Sequence, residues 1–275
     1  MVTRKQHYYP RCLLKHFADN DGKVYAYLPN DNKFIYTQYD NVCHKRDAYE
    51  SYSKNDKSEK PDNILENKLA IYENKLKLII DKIFNTFDID LYKTNNHYLD
   101  DEDFNLTADD IQFLYRYIIL QYLRTDAGRL NFINRISDID NYKPRQSPVK
   151  HTEINENRDK IELFNKVFKE GNRLENFIDD IIKPSDMKFR ILLSLHPLIT
   201  SDNPVIVTDE WKQIILPINP FLCIEFQHET LMNNNKMFTL LSPSKSQFIN
   251  KAQIRTSNYF VISQSNFKID TKIHF

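Results

Sequence analysis

Apolar residues recur at three- and four-residue spacing through the middle of this chain, and past Pro184 that period breaks up into short apolar runs. Leu65, Leu69, Tyr72, Leu76, Ile79, Ile80, Ile83 and Phe87 fall on one face of a helical repeat, which predicts a long helix. Pro61 stands just ahead of it, where a helix tolerates proline. A second helix opens at Thr107, whose hydroxyl suits the N-cap. Asp110 would complete a capping box, and Asp109 suits the positive helix end. Its stripe runs through Ile111, Leu114, Ile118, Gln121 and Tyr122 and ends near Gly128. A third helix, about 158–182, carries Ile161, Phe164, Phe168, Phe177, Ile178 and Ile181, with a break expected at Gly171-Asn172. Segments 51–63 and 138–157 are polar or proline-bearing and read as loops.

Strands are expected at both ends. Residues 23–37 read as a hairpin, with Lys23–Leu28 and Lys33–Thr37 flanking the turn-forming Pro29-Asn-Asp-Asn32. Apolar runs at 189–195, 205–208, 213–216, 221–226 and 237–241 read as a mixed or antiparallel sheet. Ser242-Pro243 suits the start of a late helix, and 259–263 closes with a strand. Helices grouped in the middle and strands late argue for α+β rather than regular βαβ units. The expected architecture is an N-terminal hairpin, about three central helices and a C-terminal sheet with a late helix, in one domain spanning 1–275.

Only three glycines are present, Gly22, Gly128 and Gly171, so there is no dinucleotide fingerprint, P-loop or nucleophile elbow. The 38 basic and 38 acidic residues cancel, which leaves no overall excess for coating duplex nucleic acid. Cys12, Cys43 and Cys223 are too few and scattered for a disulfide framework. The first residues lack the apolar stretch of a signal peptide, and no apolar run is membrane-length, so a soluble cytoplasmic protein is expected.

Four segments carry a family resemblance. They are His7-Tyr8-Tyr9-Pro10 through Leu14 and Phe17, Asn41-Val42-Cys43 with Arg46-Asp47-Ala48-Tyr49-Glu50, Gln121-Tyr122-Leu123-Arg124-Thr125, and Ser201-Asp202-Asn203-Pro204-Val205 with Leu216-Pro217-Ile218-Asn219-Pro220. In order and spacing, over about residues 5–263, the chain resembles the bacterial family known as domain of unknown function 4238. It departs mildly: Ile218 and Asn219 stand where leucine and serine are usual, and Asn41 opens a less typical linker. The resemblance implies no reaction. The scatter of such proteins among bacteria is compatible with mobile or phage-defence genes.

Within these segments His7, Arg124 and Asp202 form the candidate catalytic set, with Tyr8, Gln121, Ser201 and Asn203 as candidate binding residues. Imidazole works as a general acid or base near neutral pH. Guanidinium grips phosphate or carboxylate in a fork, and Asp can orient the histidine. The three segments are expected to meet in space. One reading is a hydrolase or nuclease-like effector of phage defence acting on a nucleic acid or phosphoester. The other is a non-catalytic module recognising protein or nucleic acid, in which the same residues hold the fold, with Asp202-Asn203-Pro204 as a tethered turn.

No cofactor or metal is assigned. Cys12 and His16 have ligand-like spacing with Cys43 or His44, yet Leu13, Leu14 and Phe17 mark that segment as core. Asp202 with Glu225-x-Gln227 has the outline of an acidic Mg2+ pair, although such spacings are common. The acidic stretches 88–90, 100–103 and 138–140 lack calcium-loop residues. The N-terminal tyrosines, among them Tyr25, Tyr27 and Tyr36, with Arg4, Lys5 and Arg11, could serve single-stranded nucleic acid but fit a half-buried hairpin better.

Overall fold

The computed structural model describes residues 4–51, 61–87, 104–136, 148–181, 186–208, 211–232 and 236–269. The chain is α+β. Two short strands, β1 (Lys5–His7) and β4 (His44–Arg46), pair antiparallel. Between them lie a helical turn, α1 (Arg11–Leu14), and the expected hairpin of β2 (Lys23–Leu28) and β3 (Lys33–Gln38). The turn places Asn32 at φ 47°, a conformation asparagine tolerates.

Among the described residues six helices occupy the middle, where about three were expected. They are α2 (Ile64–Thr86), α3 (Ala108–Arg124), α4 (Asp126–Ile136), α5 (His151–Glu156), α6 (Arg158–Lys169) and α7 (Arg173–Ile181). The apolar stripe of α2 faces the core as its period requires: Leu65, Leu69, Leu76, Ile79, Ile80 and Ile83 are buried. The predicted capping box opens α3, with the Thr107 hydroxyl accepting from Asp110 N and the Asp110 carboxylate accepting from Thr107 N, both at 3.1 Å. The helix expected to run on to Gly128 stops at Arg124. Thr125 turns extended, and its hydroxyl accepts from Gly128 N at 2.9 Å to start α4. A side chain at Gly128 would put its Cβ 1.8 Å from the Tyr122 carbonyl oxygen, so only glycine allows the two helices to meet there. The break at Gly171-Asn172 divides the third expected helix into α6 and α7. In the 138–157 segment, read as loop, 151–156 is helical. The remainder to 147, most of the 51–63 loop and all three acidic stretches lie outside the described residues.

The late strands form two sheets. β5 (Met187–Leu193), β7 (Ile206–Thr208), β8 (Gln213–Pro217), β9 (Leu222–His228) and β10 (Phe238–Leu240) make a mixed sheet of order β10-β5-β9-β8-β7, in which only β10–β5 is parallel. β6 (Thr200–Ser201) and β11 (Val261–Ser263) extend the N-terminal hairpin into a sheet of order β3-β2-β11-β6, so the two ends of the chain share one sheet. The late helix α8 (Pro243–Thr256) starts at Ser242, whose hydroxyl accepts from Lys245 N.

The five-stranded sheet has two unlike faces because side chains alternate along each strand. Phe189, Ile191, Leu193, Ile214, Leu216, Ile224 and Phe226 point into the main core against the helices. On the opposite face Leu192, Ile215 and Cys223 pack with Ile249 of α8 in a smaller cluster. Further along that second face the residues turn polar: Arg190, Gln213, Glu225 and Gln227. No helix is long and apolar enough among the described residues to cross a membrane.

Candidate functional site

The candidate residues fall in two buried clusters, one on α3 and one around Asp202, and in both main chain is clamped by buried side chains. Gln121 and Arg124 stand one turn apart on α3. The Gln121 amide donates to the Tyr8 carbonyl at 2.6 Å, and Arg124 Nε donates to the His7 carbonyl at 2.6 Å. The Tyr49 hydroxyl donates to the same His7 carbonyl at 2.6 Å, and Arg124 Nη1 pairs with Glu73 at 2.6 Å. Burial opposes the Arg124 charge, while Glu73, Tyr49, Tyr117 and Glu66 hold its pKa above the ordinary guanidinium value.

The His7 ring is turned away from that clamp. Its Nε2 donates to the Asp40 carbonyl at 3.1 Å, which places the ring proton on Nε2 because a carbonyl only accepts. Burial lowers its pKa to about 3, with Arg124, His44 and Arg11 adding to the effect and the Asp40 carbonyl opposing it. The ring is neutral at pH 7.

Asp202 is 1% exposed. Its Oδ1 accepts from the main-chain N–H groups of Asn258, Tyr259 and Phe260 at 3.1, 2.9 and 2.8 Å. Burial pushes its carboxyl up to about 6 despite these donors. The Ser201 hydroxyl donates to Gln253 Oε1 at 2.6 Å, and Asn203 Nδ2 donates to the Thr256 carbonyl and to Asn258 Oδ1 at 2.7 and 2.6 Å. The seven candidate side chains are thus buried, and each has a partner inside the chain.

Two residues that the sequence did not mark as candidates tie the segments together. Asp126, at the start of α4, accepts from the Tyr8 hydroxyl (2.8 Å), the Tyr259 hydroxyl (3.1 Å), Arg129 Nη2 (2.6 Å) and Arg158 Nη1 (3.0 Å), with Lys45 Nζ at 3.5 Å. Burial would raise its pKa, but Arg129, Arg158 and Lys45 outweigh that and hold it at about 2. Tyr259 reaches Asp126 through its hydroxyl and Asp202 through its N–H, and its ring stacks on Tyr8 at 5.7 Å. The expected convergence of the three segments therefore runs through Tyr259 and Asp126. Thr125-Asp126 directly follows the Gln-Tyr-Leu-Arg segment, so a helix ending at Arg124 instead of Gly128 would have exposed Asp126 as a first-turn acid.

A second polar group lies on the five-stranded sheet, on the half of its outer face that α8 leaves uncovered. A cavity of about 330 Å3 opens there, floored by Arg190, Gln213, Glu225 and Gln227, with Thr239, Ser242 and Lys245 beside them. Cross-strand register sets Arg190 directly opposite Glu225. Arg190 Nη1 donates to Gln227 Oε1 at 2.8 Å and Nη2 donates to Thr239 Oγ1 at 2.6 Å. Gln213 Nε2 donates to Glu225 Oε1 at 2.8 Å, and Lys245 Nζ donates to Gln213 Oε1 at 3.1 Å. Burial raises the Glu225 pKa, with Lys245 and Arg190 opposing. The Glu225-x-Gln227 spacing was visible in the sequence. Its partners are Arg190 and Gln213, whereas Asp202 is held by the 258–260 main chain.

No group of three or more His, Cys, Asp or Glu side chains is placed to hold a metal ion among the described residues. Cys43 is fully buried, and that burial raises its thiol pKa, with Asp202 adding to it. His16 packs its ring against Phe84 at 4.3 Å.

No curated protein and no solved structure matches the chain. The model of the family described as protein of unknown function (DUF4238) matches residues 5–267, and the chain belongs to that family.

Proposed function

We propose that the protein is a non-catalytic recognition module, in which His7, Arg124 and Asp202 hold the architecture and the open sheet-face cleft receives a polar group from a partner. The observation that carries this reading is the contrast between the two polar groups. Arg124 and Asp202 are buried and bonded to main-chain groups of the chain itself, as buried polar groups must be. Glu225 and Arg190 are equally well positioned by strand register but border an open cavity. A cavity of that volume sits at the lower end of the roughly 300–1,000 Å3 of ligand sites. General acid–base work by His7 is disfavoured on two counts: its proton-bearing nitrogen is engaged, and its pKa lies far below neutrality.

The test is an assay of the full chain against single-stranded DNA, single-stranded RNA and a chromogenic phosphodiester. The recognition reading predicts no hydrolysis that depends on His7. Turnover by the wild type that disappears in His7→Gln, with the melting temperature unchanged, would overturn it and restore the hydrolase.

A further inference from the structure

We infer that strand β3 is a dimerisation edge, on which a second copy of this chain pairs antiparallel about a twofold axis at Tyr36. The surface lies on the other sheet from the cleft and does not depend on how the cleft is used.

Proteins guard the edges of their sheets by shortening, charging or covering them. β7 and β10, the edges of the five-stranded sheet, are three residues long. β6, one edge of the four-stranded sheet, has two residues, and the Ile199 N–H beside it donates to Asn250 Oδ1 on α8 at 3.0 Å. β3, the other edge of that sheet, runs for six residues with no proline and a single charge, Lys33. It is the unguarded edge among the described strands of these two sheets.

The phase of the hairpin shows which main-chain groups β3 leaves open. Tyr39 N donates to the Gly22 carbonyl at 3.0 Å, and the register continues without a bulge from Lys23 opposite Gln38 to Leu28 opposite Lys33. Antiparallel pairs alternate between bonded and non-bonded, so Thr37, Ile35 and Lys33 bond to β2. The N–H and C=O groups of Phe34, Tyr36 and Gln38 point the other way, and nothing bonds to them among the described residues. The side chains of Phe34 and Tyr36 are 47% and 44% exposed beside them. An open, aromatic strand edge is a template for another strand.

A second β3 satisfies this edge in full. With Tyr36 opposite its own copy, Phe34 falls opposite Gln38 and Gln38 opposite Phe34, so every open N–H and C=O group pairs in the bonded phase. Moving the axis to Ile35 would leave Gln38 opposite Asn32, which sits in the turn at φ 47°. The side chains match themselves as well. Tyr25 and Tyr36 already pack across the hairpin with ring centroids 4.7 Å apart, and the twofold extends them into a row of four tyrosines. Ile35 meets Thr37, and Lys33 falls opposite Tyr39, so no like charges are set opposite one another along β3. A foreign strand would use the same main-chain groups without this twofold match, which favours the second copy.

The test is sedimentation equilibrium of the full chain. A single strand pair makes a small interface, so a reversible dimer is expected at about 0.1 mM chain. Gln38→Pro is the blocking variant. Gln38 has φ −56°, which proline adopts, and its N–H faces the open side, so the β2–β3 ladder keeps its bonds. Across the twofold the substitution removes two hydrogen bonds, and the dissociation constant is expected to rise about ten-fold or more. Tyr36→Cys sets one exposed cysteine opposite its copy at the roughly 5.5 Å Cα spacing that a disulfide spans, so mild oxidation should trap a covalent dimer. Phe34→Cys sets its cysteines about 13 Å apart along the strands and should not be trapped. The wild type controls for Cys12, Cys43 and Cys223, and melting curves confirm that each variant is folded. A wild type that stays monomeric overturns the proposal, even where a synthetic peptide adds to β3. So does a dimer that folded Gln38→Pro leaves unweakened, or one that Tyr36→Cys traps no better than Phe34→Cys.

Discussion

Arg124 Nε donates to the main-chain carbonyl of His7 at 2.6 Å, so the arginine that invites an anion-binding role is bonded to backbone 117 residues away. The same guanidinium meets the Tyr49 hydroxyl at 2.9 Å and Glu73 at 2.6 Å, and each bond uses the fixed directions of the fork. Lysine keeps the charge but not the fork. Arg124→Lys is therefore expected to lose about 1.5–3 kcal/mol, the worth of hydrogen bonds to a charged group. Urea unfolding at pH 7 reads this, and a variant within experimental error of the wild type would contradict it.

Asp126 carries a larger share. Arg129 is fully buried, and Asp126 is its carboxylate partner at 2.6 Å. Asp126→Asn leaves that charge without its counterion and should cost about 3–5 kcal/mol. Because the folded pKa of about 2 lies below the unfolded value, this contribution is complete above roughly pH 4 and is lost as pH falls toward 2. The measurement is the difference in unfolding free energy between wild type and variant at pH 7 and at pH 2.5. It should be smaller at the second by about 1.5–2 kcal/mol, most of what the pKa shift is worth.

His7 governs a different window. Burial depresses its pKa from 6.5 to about 3, so between those values the unfolded chain takes up a proton that the folded chain refuses. Its contribution is whole above about pH 6.5 and declines as pH falls. The charges of Arg124, His44 and Arg11 reinforce the shift. Glutamine can still donate to the Asp40 carbonyl but does not titrate. Between pH 7 and 4.5 the wild type should lose about 2–3 kcal/mol more stability than His7→Gln. Identical acid limbs in the two proteins would show that His7 titrates normally.

How far the sequence disclosed this structure depended on whether a feature was local. The α2 stripe, the Thr107–Asp110 capping box, the hairpin expected over 23–37, the Gly171 break and the Ser242 cap all stand where the residues predicted them. Each is decided by neighbours a few positions apart. The α3–α4 junction was not read, because Gly128 looks like a helix stop. It is instead the point where α4 passes within contact of the Tyr122 carbonyl. The union of the N-terminal hairpin with β11 and β6 is long-range pairing that no local pattern announces. For the polar groups, residue type suggested chemistry that burial then assigned: Asp202, Arg124 and Gln121 take main-chain partners far along the sequence. Arg190 passed unnoticed inside an apolar strand, since only cross-strand register brings it opposite Glu225.

The central claim, that one polar group is architecture and the other a binding surface, is tested most directly by thermal unfolding of two pairs of variants beside the wild type. Arg124→Ala and Asp202→Ala each remove one side of a buried network and should cost about 3–5 kcal/mol, lowering the melting temperature by many degrees. Lys245→Ala and Leu240→Ala alter the cleft at residues that are not buried and should melt near the wild type or above it, because sites are held at some expense of stability. If Arg124→Ala and Asp202→Ala melt with the wild type while the cleft variants collapse, the assignment is reversed, and the His7 junction becomes the site.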